Sequence, residues 1–248
     1  FELDQGAAAA GTSTTVNSGN VFDNHSVTVS SDALGTLTFA GHGGSSAQSA
    51  IDTTAAGDLW DSTFGISAAQ DPKASATSNN MISYTLPSIV DGVALAASYT
   101  PTSSTVAASS TAYSIAYTGV EGLTLKWGTG DSGEPAKEIK STTFMASYAI
   151  SSFTLSASNT TADKTGANDR EVDAYQIAYT VSDDMSLTYG TELFETAGSG
   201  IDEEIKSFGA SYTSGGMTLT ANTFDTNGAG NTAGAQTDRW ALGLSFAF

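Results

Sequence analysis

Residues 43–79 hold the densest set of groups able to do chemistry: Asp52, Asp58, Asp61 and Asp71, against one base, Lys73. Carboxylates in that excess make a negative field that gathers cations. The same stretch, "SAIDTTAAGDLWDSTFGISAAQ", carries Ile51, Leu59, Trp60, Phe64 and Ile66, which is too apolar for a loop lying free in water. Links longer than ~15 residues are usually functional. A segment anchored on a wall by Leu59, Trp60 and Phe64, with Asp58 and Asp61 left in water, accounts for both features. A solvated external loop is the alternative.

Other constellations offer less. His25 and His42 are the only histidines, and no nucleophile elbow accompanies them, so a Ser–His–acid hydrolase finds no support. "GIDEE" (Asp202, Glu203, Glu204), "GDSGEP" (Asp131, Glu134) and "DREVD" are acidic enough to hold Ca²⁺. None has EF-hand spacing, and solvated loop charge is the plainer reading. No cofactor is implied, and no enzyme. With no cysteine there is neither a disulfide framework nor a thiolate metal site. Eight basic against 26 acidic residues leave a net charge of −18, which argues against nucleic acid as a partner. Charged residues make up 14 % of the chain, against ~25 % in an ordinary soluble domain. Ser, Thr, Ala and Gly take their place.

The elements that must position these groups are strands. Apolar residues recur at every second position, as in Ile82, Tyr84, Leu86; Val93, Leu95, Ala97, Tyr99; Phe144, Ala146, Tyr148, Ile150; and Trp240, Leu242, Leu244, Phe246, Phe248. This period marks a strand with one apolar face. Fourteen such segments are visible, beginning with the short "FELD". Short links ("DALG", "PSIVDG", "TGVEG", "ISS", "SDDM", "TSGG") alternate with long ones, which predicts up-and-down hairpins with every long link at one end. The opposite face is Ser, Thr and Gln with almost no charge: Thr124, Ser147, Ser156, Gln176, Thr188, Thr220. A soluble barrel shows charge outside, whereas a hydroxylated face paired with an apolar one is the pattern of a transmembrane barrel. No run of ~18 apolar residues offers a membrane-crossing helix. Tyr84, Tyr117, Tyr148, Tyr179 and Tyr212 each precede a short turn and predict an aromatic girdle at one interface. Tyr99, Tyr113, Trp127, Tyr189 and Trp240 predict a second.

Three stretches then carry a resemblance: the terminal "LGLSFAF", the hairpin "SVTVSSDALGTLTFAGH", and the long segment with "GDLWDSTFG". Across nearly its whole length the chain resembles the general porins of Gram-negative outer membranes, most closely those of alphaproteobacteria. The resemblance implies an all-β, antiparallel up-and-down barrel of 16 strands in the full protein. An N-terminal hairpin would then precede the 14 visible here, and a 14-stranded barrel is the alternative. It implies one domain over residues 1–248, with segment 43–79 folded inward as a pore constriction built on Asp52, Asp58, Asp61, Asp71 and Lys73. Lys126 and Arg239 become lumen charges, and Phe246 and Phe248 the signal read by the barrel-insertion machinery. The implied function is passive diffusion of small hydrophilic solutes and ions, with preference for cations, by a homotrimer in outer-membrane lipid. A barrel-anchored surface structural or adhesion protein is the rival reading.

Overall fold

The computed structural model describes residues 25–51, 54–59, 79–102, 108–132 and 138–247. Strands β1 (His25–Ser31), β2 (Gly35–His42), β3 (Met81–Thr85) and β4 (Val93–Thr100) are short. Longer ones follow: β5 (Ser110–Val120), β6 (Leu123–Asp131), β7 (Ile139–Ile150), β8 (Phe153–Lys164) and β9 (Arg170–Ser182). The last are β10 (Met185–Thr196), β11 (Glu203–Ser214), β12 (Met217–Asn227) and β13 (Gln236–Phe246). These thirteen coincide with all the alternating segments of the sequence except "FELD", which lies outside the described residues. No described helix is long and apolar enough to cross a membrane. From β5 onward the strands run 9–13 residues, which meets the ~9–11 residues that a tilted strand needs to do so.

All thirteen join one antiparallel sheet in strict chain order. Among the described residues β1 pairs only with β2, and β13 only with β12. With an odd number of alternating strands, β1 and β13 both run from the long-link end to the short-turn end. Antiparallel closure therefore takes an odd number of further strands between them: one would give 14, three would give 16.

The short turns follow from local sterics. At "TGVEG", Gly122 has φ +75, and a Cβ there would stand 2.4 Å from the Ala149 carbonyl oxygen. Only glycine lets β6 begin that close to β7.

The two faces are sorted as the alternation requires. Val29, Leu155 and Leu244 stand 61 %, 49 % and 56 % exposed, whereas Ser141 and Thr160 on the opposite face are 0 % and 6 % exposed. That polar face holds itself together. Thr28 pairs with Thr38 at 3.1 Å, Thr143 with Thr160 at 3.0 Å and Thr213 with Thr218 at 3.0 Å, and Ser156 donates to Ser147 at 3.0 Å. A hydroxyl both donates and accepts, so a Ser/Thr lining satisfies its own hydrogen bonds without charge.

Candidate functional site

The residues packed onto the polar face come from one stretch, a 3₁₀ turn at Ala47–Ile51 and the following residues 54–59. The Ala47 amide donates to Ser98 Oγ on β4 at 3.0 Å. Gln48, fully buried, donates to Ser141 Oγ on β7 at 2.7 Å. The Ala55 amide donates to Ser158 Oγ on β8 at 2.8 Å, and Gln176 Nε2 on β9 donates to the Ala56 carbonyl at 3.2 Å. Thr54 Oγ1 donates to the buried carboxylate of Glu192 on β10. Leu59 completes the anchoring. With Ala55 and Ala56 it joins Val172, Ala174, Phe194, Ile205 and Phe224 in the one apolar cluster found among the described residues.

Three strand glycines make this approach possible. A Cβ at Gly128 would lie 2.5 Å from Ile51 Cδ1, one at Gly130 would lie 2.6 Å from Gln48 Oε1, and one at Gly190 would lie 3.2 Å from Ala56 Cβ. Glycine weakens a strand interior and marks where another part of the chain comes close. The signal was present in "WGTGD" and "YGTEL", and the sequence reading passed over it. It also passed over Gln48, Thr54 and Glu192, which look unremarkable until the segment is laid against the wall.

Asp58 is the one acidic residue of segment 43–79 within the described residues. Its φ of +56 is left-handed, a conformation that Asp tolerates better than most side chains. Its Oδ1 accepts from the Thr54 amide at 2.8 Å, while its own amide donates to Thr54 Oγ1 at 2.9 Å. The carboxylate thus holds its turn closed. It also stands, half-buried, at the edge of a cavity of about 170 Å³ whose other polar groups are Gln176, Thr188, Ser207 and Asn222. Asp52, Asp61, Asp71 and Lys73 lie outside the described residues, as do Trp60 and Phe64.

Lys126 stands half-buried on the polar face of β6, and Arg239 exposed on that of β13, opposite Phe224. Arg170 and Lys164 share this face only at the long-link ends of β9 and β8. Against them stand Asp58 and the fully buried Glu192 and Glu203. Glu203 Oε2 accepts from the Gly230 amide at 2.9 Å and ties the turn at Ala229–Asn231 to the wall.

On the outer face, Tyr84, Tyr148, Tyr179 and Tyr212 are exposed near the short turns, and Tyr117 is half-buried with its ring over Gly119. Phe153 stacks on Tyr179 with ring centroids 4.6 Å apart. Tyr99, Tyr113 and Trp240 are exposed toward the other end, whereas Trp127 and Tyr189, expected with them, are exposed at mid-strand. Phe246 is 56 % exposed on the outer face; Phe248 lies outside the described residues. No group of three or more His, Asp or Glu among the described residues is arranged to hold a metal ion.

An antiparallel sheet that is apolar outside and hydroxyl-lined on the other face, with a loop laid across that lining, defines the class of membrane-spanning β-channels. The chain belongs to the Gram-negative porin family, whose model matches residues 1–204. No curated protein sequence matches it. Among solved structures it is similar to an anion-selective porin from Comamonas acidovorans, at 16 % identity and a TM-score of 0.67, over 92 % of this chain and 79 % of that one. It is also similar to OmpT of Vibrio cholerae, at 15 % identity and a TM-score of 0.63, over 90 % and 80 %. A variant of the Rh. blastica porin matches at 17 % identity and a TM-score of 0.60, over 98 % and 81 %. These likenesses are spread over several bacteria at similar scores, and no one group dominates them. The protein is a porin of the Gram-negative outer membrane, a diffusion channel and not an enzyme.

Proposed function

We propose that this porin passes small hydrophilic solutes with a preference for cations, and that segment 43–79 forms its constriction. The observation that carries the reading is the run of contacts from Ser98 on β4 to Phe224 on β12, which lays residues 47–51 and 54–59 across the polar face with Asp58 beside a cavity. A loop inside a water-filled barrel narrows it, and the charge at the narrowing selects ions. Asp52, Asp61 and Asp71 would add to the field of Asp58, with Lys73 the only base in the segment. Lys126 and Arg239 would be isolated lumen charges. The Comamonas fold neighbour is anion-selective, so this fold accommodates either sign and the charges of each lining decide. Here the chain carries 26 acidic against eight basic residues.

The same reading makes the assembled protein a homotrimer of 16-stranded barrels, of the alphaproteobacterial kind, each a single domain to which residues 1–248 contribute 14 strands. The hairpin "SVTVSSDALGTLTFAGH", which forms β1 and β2, supports that kinship. Tyr84, Tyr117, Tyr148, Tyr179 and Tyr212 would form the girdle beside the short turns. Phe246 and Phe248 would present the insertion signal to the assembly machinery.

The test is reversal potential across a planar bilayer holding a salt gradient. Asp58→Asn with Asp61→Asn should lower cation preference at ~0.1 M salt, where the field of a charge persists over ~10 Å, and change little at ~1 M, where it is screened within ~3 Å. Asn at 58 keeps an oxygen for the Thr54 amide, so the turn survives while the charge goes. Unchanged reversal potentials at every salt concentration would sink the assignment.

A further inference from the structure

The cavity beside Asp58 has an order that a plain narrowing does not require. Gln176, Gly190, Ser207 and Phe224 lie directly opposite one another on β9 to β12. Residues 56–59 cover that row, with Ala56 against Gly190 and Leu59 packed with Phe224. One step nearer the short turns, Thr188, Gly209 and Asn222 form a second row. Gly209 leaves a gap in it. Thr188 Oγ1 and Asn222 Oδ1 would lie 2.5 and 2.6 Å from a Cβ at that position, so polar groups from two strands converge on one point. Among the described residues, none hydrogen-bonds the side chains of Thr188, Ser207 or Asn222. Polar groups withdrawn from bulk water are normally paired, so these three offer donors and acceptors to whatever enters the cavity.

We propose that this cavity is a subsite for small hydroxylated ammonium ions, the amino alcohols, which the porin passes by a saturable route. The inference rests on segment 43–79 being the constriction of an open pore. Among the described residues, Asp58 carries the only charge on the cavity lining. A carboxylate accepts about four hydrogen bonds, so the Thr54 amide leaves it capacity for an ammonium. Arg239 is opposite Phe224 on the next strand, and Phe224 stands between it and the cavity. A carboxylate or phosphate therefore finds no counter-charge on the lining. Thr188, Ser207 and Asn222 match hydroxyl groups of the ligand, and Leu59 and Phe224 take its carbons. At about 170 Å³ the cavity has room for about six non-hydrogen atoms, taking ~30 Å³ for each water-sized group.

Single-channel conductance of the intact porin tests it, in the hydrochlorides of two amines with the same carbon skeleton: serinol, an aminopropanediol, and isopropylamine, which lacks the hydroxyls. Conductance in the serinol salt should saturate at about tenfold lower concentration, a difference of about 1.4 kcal/mol. Thr188→Val with Asn222→Leu should abolish that difference, while Thr220→Val, on the polar face of β12 but outside the cavity, should keep it. If the double variant fails to fold, Gly209→Ala, which sets a methyl against both oxygens, must narrow the difference. A wild type that prefers K⁺ to Cl⁻ yet passes both amines alike overturns the subsite and leaves the constriction standing. One without that preference overturns the constriction, and the subsite with it. A difference that survives the substitutions places the recognition elsewhere and overturns the assignment.

Discussion

Glycine is the residue that most sharply separates a wall that receives a loop from one that does not. Valine favours a bare strand over glycine, because glycine has no side chain to pack and loses more backbone entropy. At Gly128, however, an added Cβ meets Ile51 at 2.5 Å. Gly128→Val should therefore push out the turn at Ala47–Ile51, raise single-channel conductance and expose segment 43–79 to added protease. Were the segment elsewhere, the same change would stabilise β6 and alter neither readout. The opposite signs make the experiment decisive. The aspartates of the segment declared a charge in the sequence; the glycines that receive it declared only a gap, and a gap has no meaning until its filler is in place.

At the scale of the strand, polarity is set by parity alone. Leu187 and Thr188 are neighbours on β10, yet Leu187 lies opposite Tyr179 and Ala210 on the apolar face, and Thr188 shares the face that borders the cavity beside Asp58. Leu187→Arg should cost about 1–2 kcal/mol in folding into bilayers, since an arginine there faces hydrocarbon but stands beside the girdle residue Tyr179 and not at the midplane, and Thr188→Arg should cost less. Urea unfolding of the two variants from lipid vesicles compares them directly. If Thr188→Arg were the costlier change, the faces would be exchanged. All thirteen described strands could be read from period-2 alternation, because a strand between lipid and a hydroxylated lining writes both environments into consecutive residues. "FELD" shows where that reading weakens, since four residues hold only two repeats of the pattern.

For the whole molecule, closure and association extend beyond the sheet itself. For a closed antiparallel barrel, the parallel directions of β1 and β13 would take an odd number of further strands, and a three-chain assembly is expected of the intact porin. Native mass spectrometry in mild detergent should give three times the chain mass, and a lone monomer at every protein concentration would refute the trimer. Alternation and link lengths alone pointed to the strands, their order and the membrane as their surroundings, and the likeness of three local stretches pointed to the porins, because each of those is written in neighbouring residues. The docking of Gln48 over Gly130, the hold of Glu192 on Thr54 and the burial of Leu59 against Phe194 and Phe224 join positions as much as 165 residues apart. No local period encodes such pairs. They arise when a curved sheet brings distant strands around one segment, and the shape of the space left between them selects which side chains meet.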